Sequence, residues 1–183
     1  MQLHTPSSTR LRRVAGAAAL CLAGLAMAAG AQAEAVKGKD KSFLVNAAEA
    51  GNAEVAASKI ALEKTQNPDV KKFAQKMIDE HTKVGADLKQ LASSKDVSVP
   101  SEPSVAQRGK IAILDKLSGT TFDKRYASMI GVTAHKDTVK LFQKASTSAQ
   151  DPDVRNFAVK TLPDLQEHLQ MANDLKAKVD AAK

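Results

Sequence analysis

Cysteine is nearly absent from this chain of 183 residues. The single Cys21 excludes an internal disulfide framework and a cysteine-based zinc site. Tryptophan is missing, tyrosine occurs once and aromatics make up 3% of the chain, poor material for a β-sandwich or barrel. No glycine-rich phosphate loop is present, and Ser, His and Asp form no set suggesting a catalytic triad. Basic residues, 27 Lys+Arg against 20 Asp+Glu, are interleaved with acids and lack the aromatic neighbours that base stacking needs. Nucleic acid is therefore not an expected partner. What the chain has in quantity is Ala, Lys, Leu, Asp and Val, a composition suited to a helical domain.

Residues 1–33 contain no acid. Arg10, Arg12 and Arg13 precede an apolar run from Val14 to Ala29, which ends in Ala31-Gln32-Ala33 before Glu34. This is the pattern of an export signal cleaved after Ala33. The run of 16 residues is short of the roughly 20 that span a bilayer, so no integral membrane span is expected after cleavage. Leu20 before Cys21 argues against lipidation, and the residues around Arg12-Arg13 fit ordinary secretion better than twin-arginine export. Cleavage removes three Arg and no acid, so the net charge falls from +7 to +4. It also removes the only thiol, which suits an oxidising periplasmic or outer-membrane-associated location.

The rest of the chain is organised by an internal repeat. Residues 67–76 read NPDVKKFAQK and residues 151–160 read DPDVRNFAVK. Glu80-His81 recurs as Glu167-His168, and Asp87-Leu88-Lys89 as Asp174-Leu175-Lys176, after an insertion near Thr161-Leu162-Pro163. The repeat predicts two related helical hairpins. Asn67 and Asp151 are predicted N-caps, each followed by Pro at the first helical position. Helices are predicted over 42–65, 68–92, 120–146 (capped by Thr120) and 152–179, with a crossover loop over 93–107 and a short helix over 107–117. Pro163 is expected to kink the last helix. Residues 34–41 are expected to be a flexible N-terminus, and 42–180 an all-α four-helix bundle.

Apolar arcs follow the helical period. They comprise Phe43, Ala47, Ala50, Ala57 and Ala61; Val70, Phe73, Met77, Val84, Leu88 and Leu91; Met129, Val132, Val139 and Phe142; and Val154, Phe157, Leu165, Leu169, Ala172 and Leu175. His81, His135 and His168 fall on three of these arcs near mid-helix, and Glu54 occupies the matching place on the first. A buried carboxylate is costly unless it is paired or bound to a cation. Imidazole and carboxylate together suit zinc, iron, manganese or copper. Three arrangements stay open: a metal site, a self-satisfied polar cluster without metal, and positions scattered over the surface. Glu80, Asp164 and Glu167 flank the histidines and are expected at the surface, with support for a ligand histidine as the alternative.

The strings FLVNAAEAGNAEVAASKIAL, NPDVKKFAQKMIDEHTK, LSGTTFD and DPDVRNFAVKTLPDLQEHLQMA, spread over residues 42–175, resemble the domain of unknown function 4142 family. The resemblance implies a ferritin-like four-helix bundle in an exported bacterial protein and supplies no activity. Ile78 and Leu165 stand three residues before His81 and His168, where di-iron bundles carry Glu. A carboxylate-bridged di-iron centre is therefore not expected. The functional expectation is a non-catalytic binding or stress-related protein of the cell envelope. The alternative is a metal-binding protein using Glu54, His81, His135 and His168, or an enzyme built on that metal. A metal ion, an envelope protein and a second copy of the chain are the candidate partners.

Overall fold

A computed structural model describes Gln2, Val36 and residues 38–182. Apart from Gln2, the expected export signal and its cleavage site lie outside the described residues. Among those residues the chain is all-helical: α1 (Gly38–Lys64), α2 (Pro68–Ser94), α3 (Val105–Asp115), α4 (Gly119–Tyr126), a π-helical segment (Ala127–Ala134), α5 (His135–Ser148) and α6 (Pro152–Ala181). None of these helices is long and apolar enough to cross a membrane.

The ends of the helices follow local chemistry. The Asn67 side chain accepts from the amides of Asp69 (2.9 Å) and Val70 (3.3 Å), and that of Asp151 from Asp153 (2.8 Å) and Val154 (3.1 Å). Each satisfies donors that the first helical turn leaves free. α1 starts at Gly38, four residues before the predicted start; Gly38 has φ +59°, which a residue without Cβ adopts at little cost. α3 starts at Val105, ahead of the predicted 107, because Ser104 and Gln107 form a reciprocal capping box. Thr120 is not the cap of the next helix: Ser118 takes that place and Gly119, at φ +56°, begins α4. α6 continues through Pro163.

α1 packs along α2, and α5 along α6. α2 also meets α6, α1 meets α5, and the π-helical segment rests on α6; α3 lies against α1 and α4. The two loops between paired helices are held alike. Asp40, buried in the first turn of α1, accepts from the amides of Gln150 (2.8 Å) and Asp151 (2.7 Å). Asp123, buried in α4, accepts from the Thr65 hydroxyl (2.5 Å), whose oxygen in turn accepts from the amide of Asn67 (3.0 Å). Lys95, after α2, pairs with Asp151 (2.9 Å) and Asp153 (2.6 Å) at the start of α6.

The apolar interior falls into two blocks. One holds Phe43, Leu44, Leu88, Phe142, Val154 and Leu165; the other holds Ala57, Val70, Met77, Tyr126, Ile130 and Leu175. Along α1, α2 and α6, and where the π-helical segment passes into α5, the sequence crosses from one block to the other at a buried polar residue. These residues are Glu54, His81, His135 and His168.

Candidate metal centre

All four predicted site residues come together inside the protein. Glu54 is 1% exposed, His81 4%, His135 0% and His168 2%, so water contributes little to stabilising their charges. The ring centroids of His81, His135 and His168 lie 5.2–5.6 Å apart, and one ligand atom from each of the three lies within 4.8 Å of the others. Glu54 Oε2 is 2.8 Å from His81 Nε2, and Oε1 is 3.9 Å from His135 Nδ1. The Thr138 hydroxyl donates to Glu54 Oε1 at 3.3 Å.

The π-helical segment positions His135. A π turn places one more residue in the turn than an α turn does, which re-aims the side chains that follow. His135 follows this segment directly, and its Nδ1 lies 3.1 Å from the carbonyl of Ile130, five residues earlier. Gly131 lets the segment approach α6: a Cβ there would meet the Ala172 Cβ at 3.2 Å.

Hydrogen bonding at the edge of the cluster selects the tautomers. A carbonyl only accepts, so His135 donates from Nδ1 to Ile130 and, when neutral, presents a lone pair on Nε2. Glu80 Oε2 accepts from His168 Nε2, which leaves the lone pair of His168 on Nδ1. That Nδ1 is buried and has no hydrogen-bond partner. His81 Nε2 lies 3.4 Å from His135 Nε2, aligned for a hydrogen bond. Glu54 Oε2 lies 2.8 Å from the same His81 nitrogen as an ion pair and has no other polar partner. His168 Nδ1 is thus a buried lone pair of the cluster without a hydrogen-bond partner.

The charges are mutually dependent. Burial pushes the Glu54 carboxyl up, but the imidazoles of His135, His81 and His168 outweigh it and hold the group at about 2. Burial presses His81 down, and the Glu54 carboxylate overcomes this and raises it. His168 is lowered, because burial and the other two imidazoles prevail over Glu80. Glu80 is itself lowered, its burial outweighed by Lys76 and His168.

Three imidazole nitrogens converge and a carboxylate oxygen lies 2.8 Å from one of them; imidazole and carboxylate together suit zinc, copper, iron or manganese. A tetrahedral ion with bonds of 2.0–2.1 Å brings neighbouring ligand atoms to about 3.3 Å of one another. His81 and His135 already meet at 3.4 Å. The carbonyl of Ile130 and the carboxylate of Glu80 stand where the outer partners of metal-bound histidines stand, each fixing a ring by its other nitrogen.

For Glu80 the sequence leaves two expectations, the surface or support for a ligand histidine. Glu80 is half-buried and reaches from α2 to the histidine of α6. The repeated Glu-His dipeptide was the available signal, but adjacency on one helix gave no hint that Glu80 serves the histidine of another. Thr138 was missed as well.

The chain belongs to the family described as Domain of unknown function (DUF4142), which matches residues 25–175. No curated protein and no solved structure matches it.

Proposed function

We propose that this is an exported protein of the cell envelope, a ferritin-like four-helix bundle that binds one first-row transition metal ion through Glu54, His81, His135 and His168. The observation that carries this reading is the convergence of three buried imidazoles, with His135 and His168 fixed to present lone pairs on Nε2 and Nδ1, the latter without a hydrogen-bond partner, and with the Glu54 carboxylate beside His81. An unpaired buried polar atom costs about 1–3 kcal/mol, and a bound cation removes that cost at His168 Nδ1. With Glu54 as the fourth ligand, a tetrahedral ion has no position open for a substrate, and on this reading the ion is stored, buffered or structural. Export fits a donor set without thiolate, since the only cysteine lies in the expected leader.

Binding to the folded state raises stability by about 2.7 kcal/mol at a hundredfold excess over Kd. Zinc, copper or manganese is therefore expected to raise the melting temperature of the chelator-stripped protein by several degrees, and His81→Ala or His168→Ala to abolish the rise. A wild-type melting temperature indifferent to all of these metals, and to iron(II) under anaerobic conditions, sinks this reading in favour of a metal-free polar cluster.

A further inference from the structure

The route by which an ion would reach the buried cluster is marked by charge. A cavity of about 690 Å³ lies between α2 and α6, and both His81 and His168 line it. Its walls carry five carboxylates, Glu80, Asp87, Asp153, Asp164 and Glu167, against three lysines. A second cavity, of about 570 Å³ between α1 and α2, also reaches His81, but it carries Lys59 and Lys89 and no carboxylate. A third, of about 180 Å³ against α3, reaches Glu54 and has one further carboxylate, Asp137, beside Lys110. Of the three cavities that reach the cluster, the one between α2 and α6 carries the largest excess of carboxylates, and a net negative lining favours a cation there.

Within that groove a cation position is already occupied by the protein's own ammonium. Lys76 Nζ lies 2.5 Å from Glu80 Oε1 on α2 and 3.6 Å from Glu167 Oε1 on α6. The other oxygen of Glu80 accepts from His168, whose Nδ1 is the unpaired buried nitrogen. Glu80 therefore touches the tethered cation on one side and a cluster histidine on the other. Resting on the metal-binding reading above, we propose that the groove is an outer loading site, where a hydrated divalent transition-metal ion displaces Lys76 from between Glu80 and Glu167 before passing to His168. Water ligands exchange for carboxylate oxygens and these for imidazole nitrogens, and no electrons move. Lys76 is then a competitor for the loading position, and Glu167 is part of it without being a ligand of the final site.

Stopped-flow mixing of the chelator-stripped protein with cobalt(II) chloride separates the two ideas, because tetrahedral cobalt gives a visible absorption band whose amplitude reports the inner site and whose rise reports loading. At about 0.15 M ionic strength, where exposed charges beyond about 8 Å are screened, Lys76→Met is expected to load about tenfold faster and Glu167→Gln about tenfold slower. The band should reach the same amplitude in both. Lys89→Met, which removes a charge from the other cavity, is expected to load at the wild-type rate. If Lys76→Met and Glu167→Gln both load within about twofold of wild type, or Lys89→Met accelerates as much as Lys76→Met, the loading site is wrong while the metal site stands. A wild type that gives no band overturns both.

Discussion

The ring of His135 donates from Nδ1 to the carbonyl of Ile130, five residues before it in the chain, at 3.1 Å. The bond ties an interior side chain to the π-helical segment that aims it. Deleting Thr133, one residue of that segment, shortens the turn and rotates everything after it by about 100° relative to what precedes it. His135 then leaves the cluster, or the Val139 and Phe142 face leaves the core. The deletion is expected to lower stability by more than about 3 kcal/mol, measured as the urea midpoint. An unchanged midpoint would mean that the segment has no positioning role.

Breaking a buried charged cluster by removing one member costs more than replacing the whole. His81→Ala leaves Glu54 without its 2.8 Å neighbour, and the expected loss in chelator-stripped protein is about 3–5 kcal/mol. Denaturant titration of the variant checks this. A loss under about 1 kcal/mol would show that Glu54 is not held by the imidazoles.

The pH dependence of the metal-free protein follows from the directions of the shifts. Glu54 is depressed from 4.5 to about 2, so its contribution is present above its ordinary value and is lost as pH falls from 4.5 toward 2. His168 is lowered from 6.5, so its contribution is present above that value and is lost as pH falls through the depressed one. His81 is raised, so its contribution is present below 6.5 and is lost as pH rises through the raised value. Urea midpoints measured from pH 8 to pH 2.5 should therefore be highest near pH 6.5, falling above it as His81 loses its proton and falling below it toward acid. Glu54→Gln should give a flatter curve below pH 4.5. A variant curve parallel to wild type in that window would contradict the assignment.

The two loop clamps predict matched losses. Asp40→Ala strands two amides, those of Gln150 and Asp151, and Asp123→Ala frees the hydroxyl of Thr65. Each should cost about 1–3 kcal/mol in thermal or chemical unfolding. Asn67→Ala, which removes a single cap, should cost about 1 kcal/mol. Equal and negligible effects for all three would deny the loops any part in holding the hairpins together.

How much of this was legible depended on whether the signal was local. Pro68 after Asn67 and Pro152 after Asp151 mark helix starts by backbone chemistry alone, and both starts are found there. The period of the apolar residues put His81, His135, His168 and Glu54 on interior faces, and all four are buried. The π-helical segment left no such mark, because its altered hydrogen-bond register is compatible with the same small and apolar residues as an α-helix. The contact of Glu80 with His168 depends on how α2 and α6 pack, which no single-helix pattern encodes. The Asp40 clamp joins residues more than a hundred positions apart, and it explains why the first helix begins earlier than its apolar stripe.

The central claim is that four named side chains share one metal ion. X-ray absorption at the zinc K-edge, on protein dialysed against one equivalent of zinc, tests it most directly. The predicted spectrum has four nitrogen or oxygen neighbours at 2.0–2.1 Å, with the outer-shell scattering of three imidazoles, and His168→Ala reduces the imidazole contribution to two or loses the zinc. A wild type that retains no zinc after dialysis, or whose bound zinc shows no imidazole scattering, would contradict it.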